Sequence, residues 1–441
     1  MRPIEHFAAF IANQQIPRTL RPALALHVAD IVGGWIAALR TGEGQMLFRA
    51  LEHRRKALGD SVPAKATLEL HCALARLSET DDIHLASMTT PGAVVIPAAL
   101  TLAAGAIPAS NNDLAGAIAA GYEAMVRLGL AIDGPSVLYR GLWPTYFAAP
   151  FAVAAVTARL LRLSPTQTAH ALAGALAFGA PGVGRHGAAT TMRWWAVGRA
   201  AANGLEAALA AQAGMTADLA LPEHGFSIFG ITPKLEKLSE PSAPAFTQTS
   251  FKPWCAARQT MAATEGLKQH MAGGAIVDER TTIEAFVPPP QLGMVNHGVQ
   301  PGDRASFLTS LPYQMALAAR DPDAAFDIAQ GALRPAVSEL MQRIKVSADP
   351  SLLADYPSRW PARVVVSTPQ GERSCTITAV PGDPDRPLTE AQGRDKFLRL
   401  VSSCGGDMAL FERACAVFDD GPLQLLHAID EIAKQIRPAF D

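Results

Sequence analysis

The segment Ser78–His84 concentrates groups that could move a proton. The carboxylates of Glu79, Asp81 and Asp82 and the imidazole of His84 all lie within it. Neighbouring carboxylates raise one another's pKa towards values that suit a general base. The same composition is typical of a solvated loop or a helix cap, because acidic clusters often decorate surfaces. Asp81, Asp82 and His84 are therefore candidate catalytic residues, with a surface loop as the alternative.

Cationic side chains beside tryptophans form a second group of candidates. The group comprises Arg140 near Trp143, Arg193 before Trp194-Trp195, and Lys252 and Arg258 around Trp254. A buried guanidinium in an apolar helical region is costly unless it pairs with an anion, and Arg binds carboxylates through two hydrogen bonds. A carboxylate substrate is one such partner. The alternative is a surface Arg stacked on Trp by a cation–π contact.

The stretch Gly182–Gly187 matches the G-x-G-x-x-G pattern of dinucleotide-binding proteins. That fingerprint works only between a strand and a helix, whereas here it follows a helical stretch without a β-branched run. We interpret it as a Gly-rich turn that places Arg185 and His186 at the mouth of a site. The scattered His residues lack i, i+4 pairing and predict no metal site.

The elements that must position these residues are helical from about residue 22 to residue 263. Small residues alternate there with larger apolar ones at spacings of three and four. Ser110 followed by Asp113, and Ser164 followed by Pro165 and Gln167, have the pattern of helix N-caps. This part of the chain is predicted to be an all-helical bundle.

The composition changes after about residue 266. β-branched runs predict a strand at 281–287 and a hairpin of strands 363–368 and 374–380. Helices are predicted at 311–319, 325–342 and 396–436. The resulting fold class is mostly α, with two predicted domains: an all-helical bundle domain formed by both chain ends, 1–268 and 395–441, and a smaller α+β domain, 269–394.

Length and composition limit the class of protein. A chain of 441 residues favours two domains. With 38 Lys plus Arg against 40 Asp plus Glu, the net charge of −2 lacks the basic excess of nucleic-acid-binding proteins. The apolar stretch 147–161 is broken by Pro150 and is shorter than the roughly 20 residues of a membrane helix. Five Cys without C-x-x-C spacing, and no apolar signal sequence, favour a cytoplasmic protein.

Five stretches carry motifs of one known family. They are Asp81–His84 leading into Thr90–Ala98, Gly198–Gly204, Phe251–Arg258, Tyr356–Val364 and Pro381–Thr389. These motifs resemble those of the MmgE/PrpD family, which includes 2-methylcitrate dehydratase, cis-aconitate decarboxylase and iminodisuccinate epimerase. The resemblance covers nearly the whole chain.

The resemblance implies a fold, an assembly and a type of reaction. It implies a helical domain built from the two chain ends, a smaller α+β lid, a homodimer, and no cofactor in the decarboxylase and epimerase branches. It also implies an enzyme that removes a proton next to a carboxylate of a small di- or tricarboxylate. A 2-methylcitrate dehydratase-like lyase is the first expectation. Epimerisation or isomerisation, decarboxylation, and a paralogue that has lost catalysis are the alternatives.

This chain departs from the family pattern where acid and base groups are expected. Thr90 stands at the His of H-P-[GS], and Trp143 at the His of G-[FW]-H-P-T. Arg193 and Ala196 replace the Lys and His of T-K-x-x-H. Because the pKa of Arg exceeds about 12, Arg193 keeps the positive charge but is a poor proton shuttle. The binding half of the site is predicted to be kept and the proton-transfer half to be rebuilt.

Roles are assigned to these residues by charge. Arg193 and Arg258 are predicted to clamp the substrate carboxylate. The full predicted substrate-binding set is Arg193, Arg258, Arg140, Lys252, Thr90 and Trp143. The base candidates are Asp81, Asp82 and His84, and the acid candidates are Tyr146 and His186.

Overall fold

Helices dominate the computed structural model, which describes residues 1–59, 63–107, 110–179, 190–240 and 242–436. In the part of the chain that the structure describes, helix accounts for 63% and strand for 7%, which confirms the predicted mostly-α class. The described residues fall into two compact units. The helical unit lies within Met1–Gly184, Thr190–Thr249 and Thr389–Asp441, and the mixed unit comprises Ser250–Leu388.

The helical unit contains residues from both ends of the chain. Its first helices are α1 Pro3–Asn13, α2 Arg21–Ala38, α3 Gly42–Leu58, α4 Pro63–Leu77, α5 Gly92–Thr101, α6 Asn111–Ala131, α7 Gly134–Leu138, α8 Pro144–Leu160, α9 Pro165–Ala177, α10 Met192–Gln212 and α11 Leu221–His224. After the mixed unit ends at Leu388, the chain adds four more helices to the helical unit. They are α17 Glu390–Val401, α18 Met408–Cys415, α19 Val417–Asp420 and α20 Leu423–Ile436. Because α17 and α18 pack on α2, the two parts of the sequence share one unit.

The centre of the helical unit is α8. It packs against α6, α9 and α10, and its residues 144–158 are all buried. The helix continues through Pro150. Gly204 of α10 lies against the Pro150 carbonyl, where an added Cβ would come within 2.2 Å of the oxygen. The absence of a side chain at Gly204 therefore lets the two helices approach closely.

Two predicted helix starts are confirmed. The Ser110 side chain accepts a hydrogen bond from the backbone N–H of Asp113 at the start of α6. Ser164 and Gln167 form a reciprocal capping box at the start of α9. In both places a side-chain oxygen satisfies an N–H group that has no partner within the helix.

One straight helix in the described part of the chain is long and apolar enough to cross a membrane. It is the stretch Asp113–Ala131 of α6, and 94% of it is buried. The core helix of a folded unit has the same length and composition, and the burial of α6 agrees with that role.

The mixed unit contains a four-stranded sheet. Its helices are α12 Met261–Ala272, α13 Pro289–Val295, α14 Arg304–Thr309, α15 Leu311–Arg320 and α16 Pro335–Met341, and its strands are β1 Thr282–Val287, β2 Ile344–Ala348, β3 Ala362–Thr368 and β4 Gly371–Ile377. The strand order is β2-β1-β3-β4, with β1 and β2 parallel and the other pairs antiparallel. The predicted hairpin is confirmed as β3 and β4.

One prediction for the mixed unit is wrong and one strand is missed. Residues 325–342 do not form a single helix, since Arg334 is extended and α16 begins only at Pro335. The residue before a proline disfavours the helical conformation, which explains the late start. The strand β2 is not predicted from the sequence, because its alternation rests on only two buried residues, Ile344 and Val346.

The mixed unit begins before α12. This helix packs on β3 and β4, and Gly266 lies against the side chain of Val364. The compact unit therefore spans Ser250–Leu388, whereas the predicted lid domain spans 269–394. The division into domains that fold independently stays a prediction.

Candidate active site

Arg76, near the C-terminal end of α4, gathers two carboxylates of the Ser78–His84 segment, which we call the acidic segment. Its Nη1 lies 2.9 Å from Glu79 Oε1 and 3.4 Å from Asp81 Oδ1, and both Arg76 and Asp81 are buried. Glu79 adopts a φ of 56°, which residues other than Gly rarely do. Backbone strain of this kind clusters at functional sites. Backbone geometry and charge therefore both mark this turn.

The start of α8 brings a phenol and an indole to the same place. Trp143 and Tyr146 pack edge to face, with ring centroids 5.4 Å apart. The backbone N–H of Thr90 donates to Thr145 Oγ1 at 3.0 Å, which ties this helix start to the chain after the acidic segment. Burial raises the pKa of Tyr146, against the opposing positive charge of Arg76. The phenol is therefore protonated at neutral pH.

Arg193 and Trp194, at the start of α10, complete the group. Arg193 Cζ lies 5.3 Å from the centroid of the Trp143 ring and 5.9 Å from that of Trp194. The Trp194 ring also lies 5.7 Å from Arg76 Cζ, so one indole contacts both guanidinium groups. Contacts thus run from Arg76 through Trp194, Arg193 and Trp143 to Tyr146. These five residues, with the two carboxylates paired to Arg76, form what we call the Arg76 cluster.

The Arg76 cluster holds hydrogen-bond donors for which the described part of the chain provides no acceptor. Tyr146 Oη and Arg76 Nε are both buried and lack a hydrogen-bond partner in the part of the chain that the structure describes. Buried donors of this kind are rare in folded proteins, and a ligand or a water is the usual explanation. Guanidinium, carboxylate and phenol groups held together out of water can bind an anionic oxygen and transfer a proton.

Asp82 is held by three donors from other elements. Its Oδ1 accepts the backbone N–H of Gly92, the first residue of α5, at 2.8 Å. Its Oδ2 accepts the Tyr122 hydroxyl of α6 at 2.5 Å and lies 2.8 Å from His27 Nδ1 of α2. Because a carboxylate only accepts, His27 carries its hydrogen on Nδ1 in this contact. Asp82 therefore joins three helices, and both of its oxygens are engaged.

His84 lies in a tight turn that a β-bridge between residues 84 and 89 closes. The backbone N–H of Ser87 donates to His84 Nδ1 at 3.2 Å, so the neutral ring carries its hydrogen on Nε2. Burial lowers the pKa of His84 to about 4. At neutral pH His84 is therefore a neutral donor through Nε2 and not an imidazolium acid.

Of two other predicted residues, Arg140 contacts the chain near Gly230 and His186 is not among the described residues. Arg140 is exposed, and its Nη1 donates to the Gly230 carbonyl at 3.4 Å. His186 lies outside the described residues, as does the rest of the Gly182–Gly187 motif. Their roles in binding and acid catalysis stay predictions.

Arg258 and Lys252 belong to the mixed unit, and both are buried there. Arg258 Nη2 donates to the two carboxylate oxygens of Asp383 at 2.8 and 2.7 Å. This ion pair neutralises the guanidinium within the unit. The clamp of Arg258 with Arg193 stays a prediction.

Three residues of this region, Arg76, His27 and Tyr122, are not predicted from the sequence. Arg76 stands in a run of buried residues, 72–77, at the end of α4, three positions before Glu79. A lone Arg in an apolar run just before an acidic segment is the signal that could have identified it, since a buried guanidinium needs an anion. His27 and Tyr122 have no such signal, because they come from distant helices.

Clustered metal ligands are absent from the described residues. No three or more His, Cys, Asp or Glu side chains there are arranged to hold a metal ion. The two carboxylates of the Arg76 cluster, Glu79 and Asp81, are instead paired with the Arg76 guanidinium.

Two family models match the chain. The MmgE/PrpD N-terminal domain matches residues 2–232, and the MmgE/PrpD C-terminal domain matches residues 254–418. A comparison with curated proteins gives no significant match. The two domain matches cover most of the sequence, and the first includes every residue of the Arg76 cluster. The chain therefore belongs to the MmgE/PrpD family.

Proposed function

We propose that this protein is an enzyme that removes a proton next to a carboxylate of a small di- or tricarboxylate, and that the Arg76 cluster is its active site. The observation that carries the proposal is the pair of buried donors, Tyr146 Oη and Arg76 Nε, for which the described residues supply no acceptor. A substrate carboxylate supplies the acceptor oxygens that these donors lack. Members of the family are generally enzymes, dehydratases and related, which supports the same class.

The residues of the cluster suit distinct steps. Arg193 and Arg76 bind the carboxylate and stabilise the charge that develops on it as the neighbouring C–H proton leaves. Asp81, the fully buried one of the two carboxylates paired with Arg76, accepts that proton. Tyr146, protonated at neutral pH, donates a proton to the departing or rebuilt group. We assign Asp82 to holding the acidic segment, since its oxygens are already engaged.

Dehydration of the type catalysed by 2-methylcitrate dehydratase is the first reaction to test. In that step the C–H proton goes to Asp81, a C=C bond forms, and hydroxide leaves with the Tyr146 proton as water. Epimerisation needs only reprotonation of the same carbon from the opposite face. In decarboxylation the C–C bond to a carboxylate breaks in place of the C–H bond, CO₂ leaves, and the electron pair left on the carbon takes up a proton from Tyr146. Arg258, Lys252, Arg140, Thr90 and Trp143 stay proposed substrate-binding residues, and His84 and His186 stay proposed catalytic residues.

The family resemblance supports further parts of the proposal. We propose a homodimer that acts in the cytoplasm on a small anionic carboxylate, without a cofactor, a membrane or a nucleic acid as partner. The arrangement of a helical domain from both chain ends with a smaller α+β lid is part of the same proposal. Light scattering during size-exclusion chromatography tests the dimer.

Solvent deuterium uptake tests the reaction. The protein is incubated in D₂O with citrate, methylcitrate, aconitate and smaller dicarboxylates, and exchange next to each carboxylate is followed by NMR. We expect exchange into at least one compound, and a loss of about 10²-fold in Asp81→Asn, the usual scale for removing a general base. Arg193→Gln should abolish the rise in melting temperature that the same compound produces.

Matched substitutions at exposed ion pairs provide the controls. Asp385→Asn and Arg280→Gln remove the same chemical groups from exposed pairs of the mixed unit and should change neither readout. If no compound exchanges deuterium and none raises the melting temperature of the unmodified protein, the proposed activity is wrong. That outcome would favour a paralogue that has lost catalysis.

A further inference from the structure

We infer that Lys396 of α17 is a positioning residue that holds the acidic segment in the geometry that the Arg76 cluster needs. This inference rests on the proposed function for its catalytic consequence, but its structural part stands on contacts alone. Lys396 lies 316 positions along the chain from the residue of the acidic segment that it contacts. Its contacts, the packing around it, and the hydrogen bonds of Asp82 each support this role.

The ammonium group of Lys396 is buried and has two partners. Its Nζ lies 2.5 Å from Asp30 Oδ1 of α2 and donates to the Thr80 carbonyl at 3.0 Å. The side chains of Lys396 and Asp30 are only 3% and 4% exposed. A buried ammonium needs both a counter-charge and hydrogen-bond acceptors, and Thr80 supplies one of those acceptors from the backbone of the acidic segment.

The helix between Lys396 and the acidic segment carries glycines at the contact points. Gly33 of α2 lies against the ring of Phe397, where an added Cβ would come within 2.9 Å of Cδ2. Gly34 lies against the hydroxyl groups of Thr80 and Ser78, where a Cβ would come within 2.4 and 2.8 Å. Consequently α2 is packed directly between α17 and the acidic segment. Because these contacts are close, a displacement of α17 is transmitted through α2 to the acidic segment.

A second attachment from α2 fixes the other side of Asp81. His27 lies one helical turn before Asp30 on α2, and its Nδ1 contacts the Asp82 carboxylate at 2.8 Å. Thr80 and Asp82 are the two chain neighbours of Asp81. Thr80 is bonded to Lys396, which pairs with Asp30 of α2, and Asp82 contacts His27 of α2. Asp81 itself contacts Arg76 at 3.4 Å. The Lys396 contact therefore fixes the backbone that presents Asp81 to the cluster.

Hydrogen–deuterium exchange of backbone amides tests the structural part. Lys396→Met alone leaves Asp30 buried without its counter-charge and can fail to fold, so the double variant Asp30→Asn with Lys396→Met is the main test. We expect the double variant to fold and the amides of residues 78–92 to exchange at least tenfold faster, while those of α8 and α10 are unchanged. Lys434→Met, which removes an exposed Lys–Glu pair of α20, is the matched control and should leave residues 78–92 protected.

Deuterium uptake into the substrate, measured on the same variants, tests the catalytic part. A positioning role predicts a fall of about tenfold in kcat with KM within twofold, and Lys396→Arg should recover part of the loss because it keeps the charge. Wild-type protection of residues 78–92 in the double variant would overturn the inference, and so would an unchanged kcat. If protection is lost but even the unmodified protein exchanges no carboxylate, the positioning role holds and the proposed function fails.

Discussion

Asp81 and Asp82 are chemically identical neighbours, but their surroundings favour different roles. Asp82 accepts hydrogen bonds on both oxygens from three helices, whereas Asp81 contacts the Arg76 guanidinium. Two carboxylates placed in different environments commonly divide into a reacting group and a supporting one. The environments here favour Asp81 as the reacting carboxylate and Asp82 as the support.

Tyr146→Phe should separate binding from stability. The Tyr146 hydroxyl is buried without a hydrogen-bond partner among the described residues, so its removal loses no bond and relieves a desolvation cost. We expect the free energy of unfolding, measured by urea denaturation, to stay the same or to rise by at most about 3 kcal/mol. Deuterium uptake into the substrate should fall by about 10²-fold, as expected for the loss of a general acid.

Tyr122→Phe is the matched control for this prediction. Tyr122 is equally buried, but its hydroxyl donates to Asp82 at 2.5 Å. Its loss should lower the free energy of unfolding by about 1.5–3 kcal/mol, the range for a hydrogen bond to a charged group. A comparable loss of stability in Tyr146→Phe would show that the hydroxyl serves the fold and would contradict its proposed role.

Residue types and family motifs could identify part of the site. Asp81, Tyr146, Arg193 and Trp143 are singled out by charge, acidity or motif position, and the structure brings them together. Arg76 is not identified, because its position on α4 is related to α8 and α10 only by tertiary packing. Sequence spacing cannot show that one indole contacts two guanidinium groups from helices far apart in the chain.

At the scale of helices, the close approach of α8 and α10 depends on Gly204. A Cβ at this position would lie 2.2 Å from the Pro150 carbonyl and 2.7 Å from the Ala154 backbone nitrogen, neither of which can turn away. Gly204→Ala should therefore lower the free energy of unfolding by about 1–3 kcal/mol, as overpacking does. Urea unfolding measures the change.

Gly174→Ala on α9 should change the free energy of unfolding in the opposite direction. An added Cβ there meets only the Ala207 and Ala217 Cβ atoms at 3.7 and 3.9 Å, which is ordinary contact. Because Ala favours helix over Gly, this variant should gain up to about 1 kcal/mol. If both variants gain stability, α8 and α10 are not packed as closely as described.

Local sequence rules predict a helix or a hairpin well when the residues that begin or end it lie close together in the chain. Ser110 and Ser164 mark helix starts, and Pro369-Gln370-Gly371 marks the hairpin, because the side chains or the turn that define them lie within a few residues. The strand β2 is different, since its place beside β1 is set by a partner some 60 positions away: Ile283 pairs with Ile344. No local pattern encodes that pairing.

At the scale of the whole molecule, the helical unit is rich in small apolar residues yet buries many charged ones. Glu69 lies between Arg54 and Arg199, and Arg127 pairs with Glu123 while donating to the Leu238 carbonyl. Glu69, Glu123 and Arg127 are buried, so each of them must keep its counter-charge for the packing to persist. Stability of such a molecule depends on pH through the groups whose pKa differs between the folded and unfolded states.

Two imidazoles, His71 buried and His84 half-buried, set the direction of that dependence on the acid side. Burial lowers the pKa of His71 to about 3 and of His84 to about 4, from an ordinary value of 6.5. Between those values the unfolded chain binds protons that the folded chain does not, so the stability that both residues contribute is fully present above pH 6.5 and is lost as the pH falls. Each should remove about 1.4 kcal/mol per pH unit in this window.

Asp30, whose pKa burial raises, acts in the opposite direction, so the contribution of His71 is best isolated by difference. We expect His71→Gln to reduce the slope of the unfolding free energy between pH 6.5 and pH 4.5, measured in urea, by about that amount. Replacing the exposed His427 by Gln should leave the slope unchanged, and equal slopes in all three proteins would show that His71 takes up protons as readily when folded as when unfolded.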